Sequence, residues 1–437
     1  MKKIYAKDLS EYSNQTITFS GFLDTKRITK WVIFLILRDS TGKLQVTIEK
    51  KEENQAMIET IENLGIDSTV KVEGTLQQNE AVRLGGLELI PTKIEITSVA
   101  DSLPFNYKDL SKVNIDTRLD YKWLDFRNEK NLLIRKIEST MIQAMRNYLY
   151  QKDFIEIHTP KLLGTASESG SKVFEVKYFH ELAYLAQSPQ FYKQMAIAGG
   201  LEKVFEVAPA FRAENSNTYR HATEFTSFDL EFSDIDSYED VMDLEEDLLI
   251  AGLNRVKEKY GETIKEHFGV DVIIPTKPFP RIKLKDLYQE LKERYGYQIP
   301  EEDIGDMNTE AEKLTGKFAM EKYGHEFIFI TGFAATKRAF YHMRDENGEL
   351  LGYDLIWRGT EITTGAQREH RYEQIVKNAQ EKGLTNDVKY YLEFFKYGCP
   401  PHGGFGLGVD RLTMLLLGLP SIKEAQFLFR GPNRLTP

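Results

Sequence analysis

Arginines, a histidine and an aromatic residue cluster in one short segment between two apolar stretches. Arg212 opens the segment, Arg220 and His221 follow a polar run, and Phe225 begins the second apolar stretch. Arginine guanidinium groups suit phosphate oxygens, and an aromatic face suits a purine base. The pattern predicts a hairpin that binds a nucleotide, although the spacing alone is equally compatible with a solvated hairpin that carries surface charges.

Alternating glycines lie near the carboxyl end of the chain. Gly404, Gly406 and Gly408 are followed by Arg411 and then by an apolar helical pattern. On a strand, glycines at every second position leave one face without side chains, so a flat ligand can lie against the backbone beside the arginine. The stretch has neither the spacing of a P-loop nor the setting of a dinucleotide-binding fold, and it is weak evidence by itself.

Two acidic residues stand between these two segments. Asp354 and Glu361 lie across a predicted strand and the turn that follows it. Two carboxylates beside a phosphate-binding site suit Mg²⁺, which prefers oxygen ligands. The alternative is that both acids are exposed and pair with Arg358 or Arg368.

The elements that precede these segments begin with a small β-domain, residues 1–104. Its alternating and β-branched runs predict five strands, and apolar residues at helical spacing predict a helix between the third and the fourth. This is the order of an OB-fold, a barrel that often binds single-stranded nucleic acid, and a generic small β-domain is the alternative. The predicted strands lie at 16–23, 31–38, 44–48, 69–76 and 87–96, and the predicted helix at 51–64.

Residues 105–130 have the composition of a hinge, and residues 131–437 are expected to form a second, larger domain. Apolar residues at helical spacing predict that this domain begins with a long helix, which leads into a short strand that ends at Pro160. Further on, strands and helices do not alternate regularly, which favours an α+β architecture, a mostly antiparallel sheet flanked by helices. The proline-containing segment 261–300 is expected to be a peripheral insertion.

Composition excludes several classes of protein. The 437 residues are 41% hydrophobic, which is enough for a full core and rules out disorder of the whole chain. With 57 Lys and Arg against 67 Asp and Glu, the net charge of −10 argues against nonspecific nucleic-acid binding. The single Cys399 excludes an intramolecular disulfide and favours a cytoplasmic location. No run approaches the roughly 18 apolar residues of a membrane span, and the first residues do not resemble a secretory signal.

Taken together, these segments resemble the signature motifs of class II aminoacyl-tRNA synthetases. The arginine hairpin matches motif 2, the glycine strand with its following helix matches motif 3, and the helix and strand that end at Pro160 match motif 1. Longer strings resemble aspartyl-tRNA synthetase of subclass b, of the archaeal and eukaryotic-cytosolic type. These strings are FRAENSNTYRH, QSPQFYKQ, EITTGAQREH and the terminal RLTP. The resemblance covers nearly the whole chain and includes an OB-fold for the anticodon.

The resemblance implies a two-step reaction that uses ATP and Mg²⁺. The carboxylate of L-aspartate attacks the α-phosphate of ATP, which gives aspartyl-adenylate and pyrophosphate, and the acyl group then passes to the 3′ end of tRNA(Asp). The implied catalytic residues are Arg212, Arg411 and Glu361. The implied Mg²⁺ ligands are Asp354, Glu361 and Thr364. The residues implied to bind ATP are Arg212, Glu214, Arg220, His221, Phe225, Glu361, Gly406, Gly408 and Arg411.

The resemblance also implies how the amino acid is selected. Lys193 and Arg368 would hold the side-chain carboxylate of the substrate, and Lys193 favours aspartate over asparagine. Residues 164–171 resemble the mobile loop that closes over the amino acid. The full set implied to bind aspartate is Glu168, Gln190, Lys193, Arg212, Asp229, Thr364 and Arg368.

On the barrel, Phe34, Gln45 and Glu88 match the anticodon-contacting positions of the family, with the barrel core as the alternative place for Phe34. Asp24, at the tip of the first predicted strand, stands where strict archaeal enzymes tend to have an aromatic residue. It predicts relaxed reading of the third anticodon position and tRNA(Asn) as a second partner. Enzymes of subclass b pair through motif 1, which predicts a homodimer built on residues 131–160.

The sequence is also compatible with two other functions. An asparaginyl-tRNA synthetase is favoured by Ala339, which stands where aspartyl enzymes often have proline, and is opposed by Lys193. A paralogue that makes an amino-acid adenylate without tRNA is opposed by the intact barrel. Thr364 and Asp410 also depart from the residues usual in the family, Ser and Glu, without loss of the hydroxyl or the carboxylate.

Overall fold

The chain folds into two compact units, Met1–Leu110 and Ser111–Pro437, so the division falls within the predicted hinge. The structure is a computed structural model that describes residues 3–164, 172–216, 218–384 and 388–437. Within those ranges, no helix combines the length and the apolar character that crossing a bilayer would require.

The first unit is a barrel. Its α-helix and strands, in the part of the unit that the structure describes, are β1 (Thr16–Ile28), β2 (Val32–Arg38), β3 (Lys43–Glu49), α1 (Gln55–Glu62), β4 (Thr69–Gln78) and β5 (Leu87–Ser98). The strands close in the order β1-β2-β3-β5-β4, and α1 stands between β3 and β4. The predicted order of an OB-fold is therefore confirmed.

Strict alternation along β2 shows why this sequence closes into a barrel. Ile33, Leu35 and Leu37 are fully buried and belong to the barrel core, whereas Phe34 and Ile36 are half-buried. Successive side chains on a strand point to opposite faces, so Phe34 lies on the outer face. The alternative that placed Phe34 in the barrel core is wrong.

The second unit contains a large sheet, a small sheet and the remaining helices. In chain order, its described elements are α2 (Ile115–Asp120), α3 (Lys122–Asp125), α4 (Glu129–Tyr150), β6 (Ile155–Glu156), β7 (Leu162–Leu163), β8 (Glu175–Tyr178), β9 (Glu181–Leu185), α5 (Gln190–Ala198), β10 (Lys203–Phe211), β11 (Glu224–Ser233), α6 (Tyr238–Phe268), β12 (Arg281–Lys283), α7 (Leu284–Tyr295), α8 (Thr309–Tyr323), β13 (Phe327–Thr331), β14 (Gly352–Trp357), β15 (Thr360–Gln367), α9 (Tyr372–Glu381), α10 (Lys389–Glu393), β16 (His402–Gly408), α11 (Val409–Leu416) and α12 (Ile422–Ala425).

Among the described residues, eight strands form the large sheet, in the order β12-β13-β14-β15-β16-β11-β10-β6. The pairs at the two edges, β12 with β13 and β10 with β6, are parallel, and every pair between them is antiparallel. The small sheet has the order β7-β9-β8. An antiparallel sheet flanked by helices confirms the predicted α+β class.

The helices α4 and α6 pack against each other over the large sheet, and buried residues of both join the sheet in one hydrophobic core. A Cβ at Gly252 of α6 would lie 2.7 Å from Met141 Sδ of α4, so a side chain there would force the Met141 side chain to move. Residues from 261 onward were expected to belong to a peripheral insertion, but the helix α6 continues to Phe268. Burial of Ile264 outweighs the low helix propensity of Gly261.

The segment 261–300 supplies the end of α6, the edge strand β12 and the helix α7. The helix α8 follows, with Asn308 as its N-cap, and it was not predicted from the sequence. α8 packs near β13, β14 and β15 and therefore brings side chains towards the middle of the sheet.

Candidate active site

A cavity of about 410 Å³ lies over the middle strands of the large sheet. Side chains from the β10–β11 hairpin, from β15 and from the β16–α11 junction form its walls. The structure thus brings together most of the residues that the sequence singled out. Those on the cavity wall are Gln190, Arg212, Glu214, Arg220, His221, Phe225, Asp229, Glu361, Thr364, Arg368, Gly406, Gly408 and Arg411.

The hairpin of β10 and β11 holds the first cluster. Ala210 pairs with Phe225 across the two strands, and Arg212 N donates a hydrogen bond to Thr223 O at 2.9 Å. The Arg212 guanidinium lies 5.1 Å from the centroid of the Phe225 ring, within the range of a cation–π interaction. The ring that was predicted to stack on adenine is therefore next to the arginine that was predicted to bind phosphate.

Arg220 is held by an acid from outside the hairpin. Its guanidinium forms two hydrogen bonds to the carboxylate of Glu312 on α8, one of them 2.9 Å long, and a third to Thr309 Oγ1 at 3.0 Å. Glu312 also accepts a hydrogen bond from the backbone N–H of Glu361 at 2.9 Å. Glu312, which the sequence did not indicate, therefore connects the hairpin to β15.

His221 lies beside the arginines of the hairpin and of α11. Its burial, together with the charges of Arg411 and Arg220, lowers the pKa of the imidazole below its ordinary value. The imidazole is therefore neutral near pH 7 and can offer a phosphate an N–H donor, but not a full positive charge.

The glycine strand β16 lies between β11 and β15, and its glycines meet backbone and side chains of those strands. A Cβ at Gly404 would lie 2.1 Å from Leu230 O, and a Cβ at Gly406 would lie 3.0 Å from Asp229 Oδ1. At the end of the strand, Arg411 Nη1 donates to Glu361 O at 2.9 Å. The alternating glycines therefore serve the packing of the sheet as well as the floor of the cavity.

The predicted metal ligands come together at the β14–β15 pair. The Thr364 hydroxyl donates to Asp354 Oδ1 at 2.9 Å and lies 3.3 Å from Glu361 Oε1. Burial and the charge of Glu361 raise the pKa of Asp354 to about 7, against the opposing effect of Arg338. Burial opposes ionisation of Glu361 as well, but Arg411 and other nearby arginines hold its pKa below the ordinary value.

Two carboxylates and a hydroxyl form a small set of hard oxygen ligands. No group of three or more His, Cys, Asp or Glu side chains that could hold a metal occurs within the described ranges. Mg²⁺ is usually bound by one or two carboxylates together with the phosphates of a substrate. The set formed by Asp354, Glu361 and Thr364 fits Mg²⁺ on those terms.

The arginines proposed as alternative partners of the two acids bind elsewhere. Arg358 Nη2 lies 2.9 Å from Glu326 Oε1, and Arg368 Nε lies 2.9 Å from Glu231 Oε1. Asp354 instead pairs with Arg338, a residue to which the sequence analysis gave no role.

At the other end of the cavity, Lys193 and Arg368 share the acids of β11. Lys193 Nζ lies 2.9 Å from Asp229 Oδ1 and 3.4 Å from Glu231 Oε2. Lys193 is fully buried and is not on the cavity wall, whereas Arg368 and Asp229 are. The ammonium group of Lys193 lies between these two carboxylates, and its direct contact with the substrate stays a prediction.

Gln190 is oriented by a buried network. Its Nε2 donates to Gln194 Oε1 at 3.1 Å and to Glu231 Oε2 at 3.3 Å. Gln194 Nε2 lies 2.9 Å from His402 Nε2, and burial lowers the pKa of His402 to about 4, so that ring is neutral. Because both N–H groups of Gln190 are used, its amide oxygen is the atom left for a ligand.

Glu231 and Gln194 were missed by the sequence analysis, although a signal for Glu231 was present. It stands two residues after Asp229 in the apolar stretch that Phe225 begins, and alternation along a strand places both acids on the same face. Glu168 and the predicted mobile loop, residue 164 aside, lie outside the described residues.

On the outer face of the barrel, the carboxylate of Glu88 accepts several hydrogen bonds. Its carboxylate accepts from Thr47 Oγ1, from Gln45 Nε2 at 3.5 Å and from Asn79 Nδ2 at 2.7 Å. Glu88 is nearly fully buried, so it orients Gln45 more than it presents itself to a ligand. Phe34 and Gln45 are the predicted anticodon contacts that stay half-exposed.

Asp24 is enclosed by positive charges. Its carboxylate lies 3.1 Å from Lys108 Nζ, 3.4 Å from Arg38 Nε and 3.7 Å from Lys43 Nζ. It lies within β1, at a break in the register with β2, and not at the tip of the strand as expected. The strand extends to Ile28 because the hairpin with β2 continues past the irregularity.

An OB-fold barrel and an antiparallel sheet that carries an arginine hairpin, an acidic pair and a glycine strand define a class II aminoacyl-tRNA synthetase. Two family models match the chain: class II tRNA synthetases (D, K and N) over residues 114–430 and the OB-fold nucleic acid binding domain over residues 17–97. The chain belongs to the class II tRNA synthetase family for D, K and N.

Known tRNA ligases and a solved synthetase structure are similar to this chain. The aspartate–tRNA(Asp/Asn) ligase of Aeropyrum pernix is 41% identical over 92% of this chain and 91% of its own length. The aspartate–tRNA(Asp) ligase of Pyrococcus furiosus is 40% identical over 99% of each chain. Among solved structures, the asparaginyl-tRNA synthetase of Pyrococcus horikoshii with asparaginyl-adenylate has a TM-score of 0.91 at 32% identity and full coverage of both chains.

Proposed function

We propose that this chain is an aspartate–tRNA ligase of subclass b and of the archaeal and eukaryotic-cytosolic type. The observation that carries the proposal is a single cavity with an arginine-rich phosphate end and, at the other end, Arg368 beside Gln190. Relatives that are about 40% identical over nearly the whole chain bear aspartate–tRNA ligase names. A tRNA-charging enzyme of this kind is expected to work in the cytoplasm.

At the phosphate end, the residues act by position and charge. Arg212 would hold the α-phosphate as the aspartate carboxylate attacks it, and Arg411 would bind the outer phosphates. Phe225 would stack on adenine once the Arg212 guanidinium moves from the ring to the phosphate. Glu214, on the same wall, would read the adenine amino group.

Mg²⁺ would be held by Asp354, Glu361 and Thr364, and when bound it would offset part of the negative charge of ATP. Arg220 and His221 stand at the same end of the cavity. Because Glu312 neutralises Arg220 and the pKa of His221 is lowered, the protein alone adds less positive charge there than its residue types suggest. That deficit is a physical reason for a metal to accompany the nucleotide.

At the amino-acid end, the groups suit a short dicarboxylic amino acid. The Gln190 amide oxygen and Asp229 are acceptors for the α-ammonium group, and Arg368 is the donor for the side-chain carboxylate. Lys193 would act through Asp229 and Glu231, whose negative charges it offsets. Without that offset, the two acids would repel an anionic side chain.

The barrel would bind the anticodon through Phe34 and Gln45, with Glu88 as the residue that orients Gln45. We propose relaxed reading, so that both tRNA(Asp) and tRNA(Asn) are charged. Similar proteins bear both kinds of name. Charging of tRNA(Asp) and tRNA(Asn) transcripts in parallel tests relaxed reading. A preference for tRNA(Asp) above about a hundredfold, or about 2.7 kcal/mol, would refute relaxed reading.

The motif 1 segment supports a homodimer. Tyr150, Ile155 and Leu162 are about half-exposed apolar side chains that follow one another at the end of α4 and in the strands after it. A second copy would cover them. Analytical ultracentrifugation should find the dimer, and a stable, active monomer would contradict it.

Asparaginyl-tRNA synthetase is the second candidate. It is favoured by the solved asparaginyl enzyme with a TM-score of 0.91 and by the enclosed position of Lys193. ATP–pyrophosphate exchange with each of the twenty amino acids separates the two functions. Exchange driven by aspartate supports the proposal, and exchange driven by asparagine but not by aspartate overturns it.

A further inference from the structure

Arg338 occupies both carboxylate oxygens of a predicted metal ligand. Its Nη1 lies 3.0 Å from Asp354 Oδ1, and its Nη2 lies 2.6 Å from Asp354 Oδ2. Nη2 also lies 3.2 Å from Asp306 Oδ1, and the guanidinium carbon lies 3.8 Å from the centroid of the Phe333 ring. Arg338 is therefore held by a forked ion pair, a second acid and an aromatic face.

This pairing conflicts with metal binding at the same carboxylate. A divalent cation that uses an oxygen of Asp354 must come within a few ångströms of the guanidinium, and the two positive charges repel. Oδ1 of Asp354 accepts from Thr364 as well, so both oxygens already have donors. A metal at either oxygen of Asp354 must therefore compete with the charge of Arg338.

We infer that Arg338 is a resident counterion of the metal site, which Mg²⁺ must displace from Asp354. In the proposed aminoacylation reaction, on which this inference rests, the free enzyme would bind Mg²⁺ weakly. The phosphates of ATP would then shift the balance, because they attract both the metal and the released guanidinium. Arg338 is thus a positioning residue that makes metal binding depend on the nucleotide.

The surroundings of Arg338 allow such a movement. Arg338 is on the cavity wall, directly after a short 3-10 helix, Ala335–Lys337. Its buried Nε has no hydrogen-bond partner within the described ranges, so the arginine is not satisfied at every donor. Asp306, whose side chain is 37% exposed, can retain the guanidinium after Asp354 is lost. Release therefore does not leave a buried cation without an anion.

Binding of Mn²⁺ to the free, full-length protein tests the inference without any measurement of activity. Electron paramagnetic resonance of unbound Mn²⁺ gives the dissociation constant in the absence of nucleotide. Arg338→Gln should tighten Mn²⁺ binding at least fivefold, because the competing charge is removed. Arg338→Lys keeps the charge and should stay within about twofold of the native value. Thermal unfolding of each variant shows that the fold is retained.

Two further variants control the experiment. Arg294→Gln removes the same charge from a pair with Glu290 on α7 and should leave Mn²⁺ binding unchanged. In an Asp354→Asn background, Arg338→Gln should no longer tighten binding. An Arg338→Gln variant that binds Mn²⁺ no more tightly than the native protein would overturn the inference. Aspartate-dependent pyrophosphate exchange by the native chain would leave the proposed function standing in that case.

Discussion

Lys193 and Glu231 lie at the centre of a charge cluster whose edge reaches the wall of the cavity. Lys193 contacts Asp229 and Glu231, and Arg368 contacts Glu231. The charges of these two cations and two anions cancel. Of the four residues, Arg368 and Asp229 lie on the cavity wall. The proposed substrate would therefore meet a balanced group of charges, in which the loss of one buried member changes the electrostatic potential at the cavity.

The first prediction concerns that balance. Lys193→Met leaves two acids with one cation, so the amino-acid end becomes negative and repels the side-chain carboxylate of aspartate. At an effective dielectric constant of about 20, one charge some 6–8 Å away is worth about 2–3 kcal/mol, or roughly a hundredfold in the aspartate KM. Pyrophosphate exchange measures the KM for aspartate, with the KM for ATP as the internal reference.

Lys396→Met is the matched control, because Lys396 is exposed and its salt bridge is with Glu393, one turn away on the surface. It should leave both KM values unchanged. An aspartate KM that stays native in Lys193→Met would show that Lys193 has a purely structural role.

The second prediction concerns Glu312. Glu312→Ala removes the anchor of Arg220 and the acceptor of the Glu361 N–H, so two groups of the phosphate end lose their orientation. The lost orientation should outweigh the positive charge that Arg220 regains, so the KM for ATP should rise at least about tenfold while the KM for aspartate is unchanged, since a lost hydrogen bond to a charged group costs about 1.5–3 kcal/mol. Glu312→Gln, which keeps an acceptor, should have a smaller effect. Equal changes in both KM values would contradict this role.

At the scale of elements, β16 shows that a glycine pattern can have two causes. Gly404 is needed because a side chain would collide with the backbone of β11, whereas Gly406 and Gly408 lie on the cavity wall. All three glycines were predicted to make room for a flat ligand. The packing of three adjacent strands supplies the other cause.

The third prediction follows from this packing. Gly404→Ala places a Cβ 2.1 Å from Leu230 O and 2.6 Å from Glu231 Oε2, and should destabilise the protein by about 1–3 kcal/mol. Gly261→Ala is the control, because its Cβ would meet Lys257 Cγ at 3.5 Å in the middle of α6. It should stabilise by about 0.5–1 kcal/mol. Urea unfolding measures both, and equal effects would refute the argument.

At the scale of the whole molecule, one buried acid makes stability depend on pH. Glu245 of α6 is fully buried and accepts a hydrogen bond from the Tyr353 hydroxyl of β14 at 2.7 Å. Burial raises the pKa of Glu245 from its ordinary 4.5 to about 8. The folded protein therefore binds more protons than the unfolded chain between these values, and stability falls as the pH rises from about 4.5 to about 8.

The fourth prediction uses this difference. Glu245→Gln keeps an acceptor for Tyr353 and removes the cost of ionisation, so the variant should exceed the native protein in stability at pH 8 by about 2–4 kcal/mol. At pH 5 the two should be nearly equal, because Glu245 is then protonated when folded. Urea unfolding across this pH range measures the gap, and a gap that does not change with pH would contradict the prediction.

Local pattern predicted much of the fold. The alternation along β2 and the helical spacing in α4 indicated both elements, because burying one face of a strand or helix leaves a period in the sequence. The boundaries were less certain, as the continuation of α6 through Gly261 shows. The helix α8 escaped prediction, and with it Glu312, although both shape the phosphate end of the cavity.

The sequence by itself determined the residue types of the site, the order of the barrel strands and the antiparallel class of the large sheet, since these follow from side-chain chemistry and local periodicity. Only the tertiary structure decided which charges meet. Arg220 with Glu312, Arg338 with Asp354 and Lys193 with Glu231 are pairs between separate elements. Such pairs are set by how those elements pack, which no local pattern records.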